Sequence, residues 1–307
     1  MSKASSPSDH ARHRVTQIVI PEPQSNADAA GHRFLTSLAV ELANGPLNLP
    51  CFPDIVPRVR TALSDPKSSS DDIVKIAGTE PRLSARLLQT ANSAVFNQSG
   101  KPFSDLRHVV TRLGHHLVQS VTMAFAIQQM KADASLRTVA KPLSDLWEKS
   151  VAVASICQVL ANRLRVPADK VFLTGLLHGI GHFYIMVRAA EQSDRGGLED
   201  LLSAYVVQCH PVIGRAIMEK WNFEPVMCEA VGSQNDYARK SKRGADITDV
   251  VIASVLLAGA ALERGGDITP LAGVNAFASL NLSPSELTAI LKHTEHSLDS
   301  LRDTLGC

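Results

Sequence analysis

The chain has 307 residues, of which 45% are hydrophobic, so it is long and apolar enough to bury a sizeable core and is not disordered throughout. Its 31 basic and 30 acidic side chains give a net charge of +1, so no strong overall field draws it toward nucleic acid or an anionic membrane. The five cysteines are odd in number and form no CxxC pair, which indicates free thiols in a reducing compartment and hence a cytoplasmic protein.

Residues 1–31 are predicted to be a flexible leader. They are rich in Ser, Pro, Asp, His and Asn, without sustained apolar periodicity and without the apolar core of a signal peptide. The longest apolar run, residues 250–262, is too short to cross a bilayer and predicts a buried helix. No membrane association is therefore expected.

Residues 32–142 are predicted to form an N-terminal helical subdomain. The pattern is helical almost everywhere from residue 32, and no segment shows convincing strand alternation. Pro50 and Pro53 make an extended connector, because a proline biases the residue before it away from the helical region. The first two predicted helices cover residues 32–44 and 55–63. A third is capped by Ser70 and a fourth is opened by Pro81. Two more are predicted over residues 105–113 and 115–130.

The Ala-Asn-Ser triplet at the end of the helix opened by Pro81 is a candidate structural motif. Asn92 and Ser93 fall where backbone carbonyls are left without helical partners. A side-chain amide at such a position can bond free backbone groups and fix the following loop. We therefore predict that Asn92 is important for the fold.

A second helical unit is predicted over residues 143–265, after a polar junction at 131–142. Its first helix carries an apolar stripe into which one charged residue, Lys149, intrudes. Later helices are predicted near 198–207, 211–220 and 224–234. Three further residues serve as structural markers: Trp147, Gly175 and Trp221. Trp221 should be a buried anchor whose indole N–H has a hydrogen-bond acceptor.

Residues 239–243, Arg-Lys-Ser-Lys-Arg, form a basic string. A solvated loop is the simplest interpretation. Tyr237 is the only aromatic residue nearby, whereas single-stranded nucleic-acid sites interleave cations with aromatic residues. Direct nucleic-acid binding is therefore not favoured.

The C-terminal extension, residues 266–307, has its own helix signal. Ser283 and Glu286 form a capping box with Pro284 at the first helical position. Two interpretations of the following helix remain open, a helix packed on its own domain or one that pairs two chains as a homodimer. Both rest on a seam of residues spaced by fours and threes: Leu287, Leu291, Thr294, Leu298, Leu301 and Leu305.

Residues 176–182, Leu-Leu-His-Gly-Ile-Gly-His, resemble half of a metal site. His178 and His182 are four residues apart, but the two glycines among them make a continuous helix uncertain. His210, just before Pro211 at a predicted helix start, is a third candidate ligand. The three histidines have either structural roles or a role as metal ligands, and both interpretations remain open. A metal site would also need a carboxylate, which Asp145, Glu148 or Asp236 could supply.

Several motifs resemble those of bacterial HDOD-domain proteins, a branch of the HD superfamily. They occur in the family's order and together span about residues 40–265. The segments that carry the resemblance are LPCFP (49–53), SDP (64–66), TEPRLSARLLQTANSAVFN (79–97), RLG (112–114), LWEKS (146–150), FLTGLLHGIGH (172–182) and CHPVIGRAIMEKWNF (209–223).

The resemblance implies an all-α fold, with an N-terminal helical subdomain and an HD-like C-terminal helical bundle. It also implies that the metal site of HD enzymes is degenerate here. Lys149 stands where these enzymes have their first histidine, and Gly179 replaces the aspartate of the His-Asp doublet. His210 is retained, whereas Gln234 and Gly259 fall near the later histidine and aspartate. The degenerate pocket would comprise Lys149, His178, Gly179, His182, His210, Gln234 and Gly259.

The function implied by this resemblance is a non-enzymatic module for bacterial signal transduction, a platform that binds a protein partner or a ligand and needs no cofactor. A cation at Lys149 would repel a divalent ion, and glycine at 179 removes a bridging carboxylate. The alternative is a metal-dependent phosphohydrolase, acting on nucleotides or phosphodiesters, with an unusual ligand set of His178, His182 and His210.

Overall fold

The described part of the chain consists of helices joined by turns and loops, and no strand occurs in it. The predicted all-α class is confirmed. The computed structural model describes residues 18–23, 25, 28–45, 47, 52–65, 67–93, 96–97, 100–164, 166–192, 204–241, 244–263, 268, 271 and 273–305.

Two groups of helices follow one another along the chain, around a shared hydrophobic core. The first group comprises α1 (Ala29–Asn44), α2 (Ile55–Ser64), α3 (Ser70–Gly78), α4 (Pro81–Asn92) and α5 (Leu106–Lys131). After a 3₁₀ helix (Ala134–Val139) come α6 (Ala140–Leu164), α7 (Ala168–Leu176), α8 (Ile180–Gln192), α9 (Ala204–Lys220), α10 (Pro225–Gly232), α11 (Ile247–Glu263), α12 (Asn275–Ser279) and α13 (Pro284–Leu305).

Helix α5 is the element against which α2, α3 and α4 pack. It bends at Gly114, whose φ of 73° and ψ of 170° lie outside the helical region. A positive φ strongly favours glycine, and this explains the glycine of the RLG motif. The two helices predicted over 105–113 and 115–130 are thus present, joined at the glycine that separates them.

Helix α1 packs on α9, which is distant from it in the sequence. Its buried face consists of Phe34, Leu35, Leu38 and Leu42. An ion pair 2.8 Å long joins Glu41 to Arg188 of α8. The helix begins at Ala29, so the predicted start at His32 was three residues late.

Helix α6 is central to the fold, since α7, α11 and α13 all pack on it. It begins at Ala140 rather than at the predicted Leu143. Proline is compatible with the first helical turn, where its missing N–H would have no partner, so Pro142 does not delay the start. The predicted polar junction contains the short 3₁₀ helix, which buries Leu136 and Val139.

Helix α9 runs through Pro211 without a break, so the predicted helix start at that proline is wrong. A proline inside a helix removes one backbone hydrogen bond. Burial of Val206, Ile213 and Ile217 on both sides of it favours continuing the helix. The predicted helix near 198–207 falls partly on residues 198–203, which lie outside the described part of the chain.

Arg239 is engaged in ion pairs, which contradicts a fully solvated basic loop at this position. It bonds Asp246 and, at 2.9 Å, Asp249, a carboxylate with no exposed surface. Ser241 also donates to Asp249. The side chain of Arg239 therefore fixes the loop onto the start of α11, and Lys242 and Arg243 lie outside the described residues.

The C-terminal helix α13 returns to pack on α6 and α4. The predicted capping box is confirmed, because Ser283 N donates to Glu286 at 2.7 Å and Glu286 N donates to the Ser283 hydroxyl at 3.4 Å. The described side chains of the predicted seam are buried within the chain itself: Leu287, Leu291, Thr294 and Leu305. The side chains of Leu298 and Leu301 lie outside the described residues.

One stretch of the described chain, residues 168–192, is long and apolar enough to span a bilayer by length and composition alone. It comprises α7 and α8, and 89% of its apolar window is buried inside the protein. Such burial is typical of core helices. The run at 250–262 lies in α11 and is largely buried as well, as predicted.

Asn92 joins the end of α4 to the start of the segment before α5. Its Nδ2 donates to Leu88 O at 3.0 Å and to Phe103 O at 2.8 Å, and its Oδ1 accepts from Phe103 N at 2.7 Å. Ser93 adds a bond from its hydroxyl to Thr90 O at 2.9 Å. The amide thus pairs both backbone groups of Phe103, eleven residues away.

Replacing Asn92 with leucine is expected to lower the free energy of unfolding by about 2 kcal/mol, because it leaves the backbone groups of Phe103 without these partners. Urea denaturation measures the change. Asn44→Leu is the matched control, since the described side-chain bond of Asn44 is local, to Val40 O. An unchanged urea midpoint for Asn92→Leu would show that the loop does not depend on this amide.

Candidate functional site

Three histidines converge where α8 crosses α9. Helix α7 ends at Leu176, and His178 lies in the turn that precedes α8. His182 lies in the first turn of α8 and His210 in α9, with their rings stacked at a centroid distance of 5.6 Å and an interplanar angle of 22°. The two histidines of the LLHGIGH segment are therefore not on one continuous helix.

The turn that carries His178 is held by hydrogen bonds on both sides. Its ring Nδ1 donates to Gly175 O at 2.8 Å, which defines the tautomer of the neutral ring. Gln234 donates from Nε2 to His178 O at 2.9 Å and to Val231 O at 2.8 Å. Gln234 Oε1 is buried and has no hydrogen-bond partner among the described residues.

The three rings are neutral at physiological pH. Burial lowers the pKa of His178 to about 4 and that of His182 to about 4, and the Lys149 ammonium lowers both further in the same direction. Burial also holds the pKa of His210 well below its usual range, helped by the other two histidines and Lys149. Among the described groups that shift these pKa values there is no carboxylate.

Lys149 contributes the one formal charge that acts on all three rings. It projects from α6 and is half-buried, so its charge is only partly solvated. In the apolar stripe of α6, the neighbouring positions Val153, Ile156 and Leu160 are buried. The half-buried Lys149 ammonium thus lowers the pKa of each of the three imidazoles.

Little room exists at Gly179 for a larger side chain. A Cβ there would lie 2.9 Å from Leu146 Cδ1 and 3.4 Å from the Ser150 hydroxyl, both on α6. The adjoining cavity has a volume of about 10 Å³ and is lined by apolar groups that include Trp147, whose buried indole N–H has no partner among the described residues. That volume holds at most a single water molecule.

Glycines allow the helices around the histidines to approach closely. A Cβ on Gly181 would lie 2.0 Å from His210 O and 2.5 Å from Gly214 N, so α8 and α9 meet backbone to backbone. A Cβ on Gly175 would lie 2.7 Å from Cys157 Sγ and 3.1 Å from Ala154 Cα. Sequence analysis missed Gly214, although a glycine inside a helical pattern is itself a sign of close packing.

The residues at this site do not fit a divalent metal ion. The described residues contain no group of three or more His, Cys, Asp or Glu side chains placed to hold a metal. The three carboxylates considered from sequence, Asp145, Glu148 and Asp236, are exposed, and Asp145 pairs with Lys141 at 2.9 Å. Lys149 adds positive charge where a metal would need negative ligands.

The other predicted markers lie apart from this cluster. Gly259 is buried in α11, and no described hydrogen bond or ring contact connects it to the histidines. Trp221 is buried as predicted, stacked on Phe52 at 5.8 Å with Arg60 over its ring, but no acceptor for its indole N–H occurs among the described residues. Pro81 opens α4 and Pro53 is half-buried before α2, whereas Pro50 lies outside the described residues.

The fold is all-helical in the described part of the chain, with three histidines gathered between α8 and α9. The chain belongs to the HDOD domain family, whose family model matches residues 49–237. A comparison with curated proteins gives no match.

Three solved structures share the fold. A candidate metal-dependent phosphohydrolase from Shewanella amazonensis SB2B is 24% identical, with a TM-score of 0.68 over 90% of this chain and 99% of that one. An HDOD domain protein of unknown function from Geobacter sulfurreducens is 22% identical, with a TM-score of 0.58 over 90% and 98%. A candidate signal transduction protein from Marinobacter aquaeolei VT8 is 19% identical, with a TM-score of 0.58 over 94% and 67%. At these identities the likeness shows the fold alone.

Proposed function

We propose that this HDOD protein is a non-enzymatic regulatory module of bacterial signal transduction, which acts by binding a protein partner. The observation that carries the proposal is the electrostatic environment of the three histidines. Three neutral imidazoles, one buried and two partly buried, share their site with the Lys149 ammonium, and no carboxylate is among the described groups that act on them.

The physical argument concerns the charge of a catalytic ion. A divalent ion that activates water is held by ligands that offset its charge and leave a coordination position open. Here Gly179 supplies no ligand, and the space beside it is filled by Leu146. Binding a dication would bring it close to an ammonium in a poorly solvated region, which is electrostatically unfavourable.

The signalling role is supported by the family and by one structural neighbour. The Marinobacter aquaeolei protein is named as a candidate signal transduction protein. Without a catalytic centre of its own, the module would pass its output to another protein, and it would need no cofactor. The three described cysteines are free and buried, which fits a cytoplasmic location.

A metal-dependent phosphohydrolase acting on nucleotides or phosphodiesters is the second candidate. The name of the Shewanella amazonensis neighbour and the proximity of His182 to His210 favour it. It would require His178, His182 and His210 to bind an ion despite Lys149.

Protein purified without chelator or a metal-affinity tag is expected to contain far less than one equivalent of Fe, Mn, Zn or Ni per folded chain, measured by elemental mass spectrometry. The variant Lys149→His should bind metal more tightly, because it exchanges an ammonium for an imidazole. A His115→Ala variant, altered at an exposed histidine outside the cluster, is the control.

Near-stoichiometric metal in the unaltered protein, lost in His178→Ala but kept in His115→Ala, would contradict the proposal. Turnover of a nucleotide or a phosphodiester with the same dependence on His178 would establish the phosphohydrolase instead.

A further inference from the structure

A second cavity lies where α5 meets α6 and α7, away from the histidine cluster. Its volume is about 330 Å³, at the lower end of the range of small-molecule sites. The walls that matter for recognition are formed by Phe96, Arg112, Gln158, Asn162, Asp169 and Phe172. Polar groups from three helices thus converge on one concave surface.

Three of these polar groups are available to a ligand. In the described part of the chain, the side chains of Arg112, Gln158 and Asn162 have no hydrogen bond, ion pair or ring contact. Gln158 is half-buried, and Asn162 follows it by four residues on α6, so the two amides lie on the same face of the helix. Each amide offers both a donor and an acceptor.

The carboxylate in the cavity is already paired. Asp169 accepts from His116 Nδ1 at 2.9 Å, and His116 Nε2 lies 3.5 Å from Glu224. The His116 contact contributes to a lowered pKa of the Asp169 carboxyl, against the effect of its partial burial. Because no described ion pair joins Asp169 to Arg112, the guanidinium charge at the cavity is not neutralised from within the protein.

Aromatic rings form the apolar wall. Phe96 and Phe172 meet edge to face, with centroids 6.1 Å apart and an interplanar angle of 89°. Phe172 is fully buried, and Phe96 keeps part of its surface exposed. A planar ring in the cavity would therefore find an aromatic surface beside the two amides.

We propose that this cavity binds a purine nucleotide. The guanidinium of Arg112 would hold the phosphate in a bidentate pair, and the amides of Gln158 and Asn162 would bond the edge of the base. The exposed part of Phe96 would contact the base ring. The small, half-enclosed volume favours a small molecule over a peptide segment.

The cavity shares no lining residue with the histidine cluster, so this proposal does not depend on the absence of catalysis there. It lies between helices of the N-terminal group and helices of the HD-like group. A bound nucleotide would contact both groups at once.

Isothermal titration calorimetry of the full chain with adenosine 5′-monophosphate and guanosine 5′-monophosphate tests the proposal. We expect at least one to bind, and Arg112→Gln and Gln158→Ala each to weaken that binding about tenfold or more. Arg82→Gln and Gln208→Ala, at exposed positions outside the cavity, are the matched controls and should bind as the unaltered protein does.

Inorganic phosphate and adenosine, titrated separately, should bind much more weakly than the nucleotide. Equal binding of phosphate alone would reduce the site to an anion site and overturn the proposal. So would the absence of binding by both nucleotides, or binding that the two cavity variants leave unchanged. Nucleotide titration does not depend on the metal content of the protein. Failure of this proposal can therefore be distinguished from failure of the proposed function, which the metal measurement tests.

Discussion

Replacing Gly181 with alanine is expected to destabilise the protein by at least about 3 kcal/mol, and in a marginally stable chain to prevent folding. The added Cβ would lie 2.0 Å from His210 O and 2.5 Å from Gly214 N. Both atoms belong to the backbone of α9, so no side-chain rotation relieves the clash. The two helices would have to separate.

Thermal and urea denaturation measure this effect, and Gly78→Ala is the matched control. Gly78 is at the end of α3, and no atom lies within 4 Å of where its Cβ would be placed. Alanine there should leave stability unchanged or raise it slightly. Equal stability of Gly181→Ala and Gly78→Ala would mean that α8 and α9 are not in direct backbone contact.

Acidification is expected to destabilise the protein steeply between pH 6.5 and 4. An unfolded chain protonates its histidines near pH 6.5, whereas the folded protein keeps His178 and His182 neutral down to a pKa of about 4. Between these values the unfolded state binds more protons, so the free energy of unfolding falls as the pH falls. Each such histidine contributes about 1.4 kcal/mol per pH unit.

The stabilisation from these neutral rings is thus complete above pH 6.5 and lost as the pH falls through 4. Urea midpoints at pH 7 and pH 5 give the slope. His182→Gln should reduce it by about one proton, because one buried titrating group is removed. Gln208→Ala alters an exposed residue that carries no ionisable group and should leave the slope unchanged. Identical slopes for the two variants would contradict a neutral, buried His182.

Local signals were sufficient to predict much of the fold. Proline at the first turn of α4, the Ser283 capping box and the glycine break in α5 all act within a few residues of where they stand in the sequence. For the same reason the cap of α3 was misplaced by only one residue, since Ser69 rather than Ser70 occupies the N-cap.

Errors arose where distant parts of the chain decide the local structure. Pro211 indicates a helix start by its own chemistry, yet burial on both sides keeps α9 continuous through it. Arg239 belongs to a basic string in sequence, but a buried carboxylate ten residues later bonds it. A sequence pattern carries no direct measure of such burial.

The sequence indicated which residues belong to the candidate site, but not how they are arranged in space. Spacing placed His178 and His182 near each other, and the sequence pattern singled out His210 and Lys149. The family resemblance added Gln234 and grouped these residues in one pocket. The stacked rings, and the bond from Gln234 to the backbone of the His178 turn, depend on how α8, α9 and α10 pack together. Those contacts are non-local and left no signal in the spacing.

Helix α1 lies before the segment that matches the HDOD family, and α11 and α13 lie after it, yet all three cover its core. A recombinant fragment cut to residues 49–237 would lose helix α1, whose Phe34, Leu35 and Leu38 cover α9. It would also lose helix α11, which covers α6. The apolar side chains left bare would favour self-association over a folded monomer. We therefore expect the independently folding unit to be longer than the segment that matches the family model.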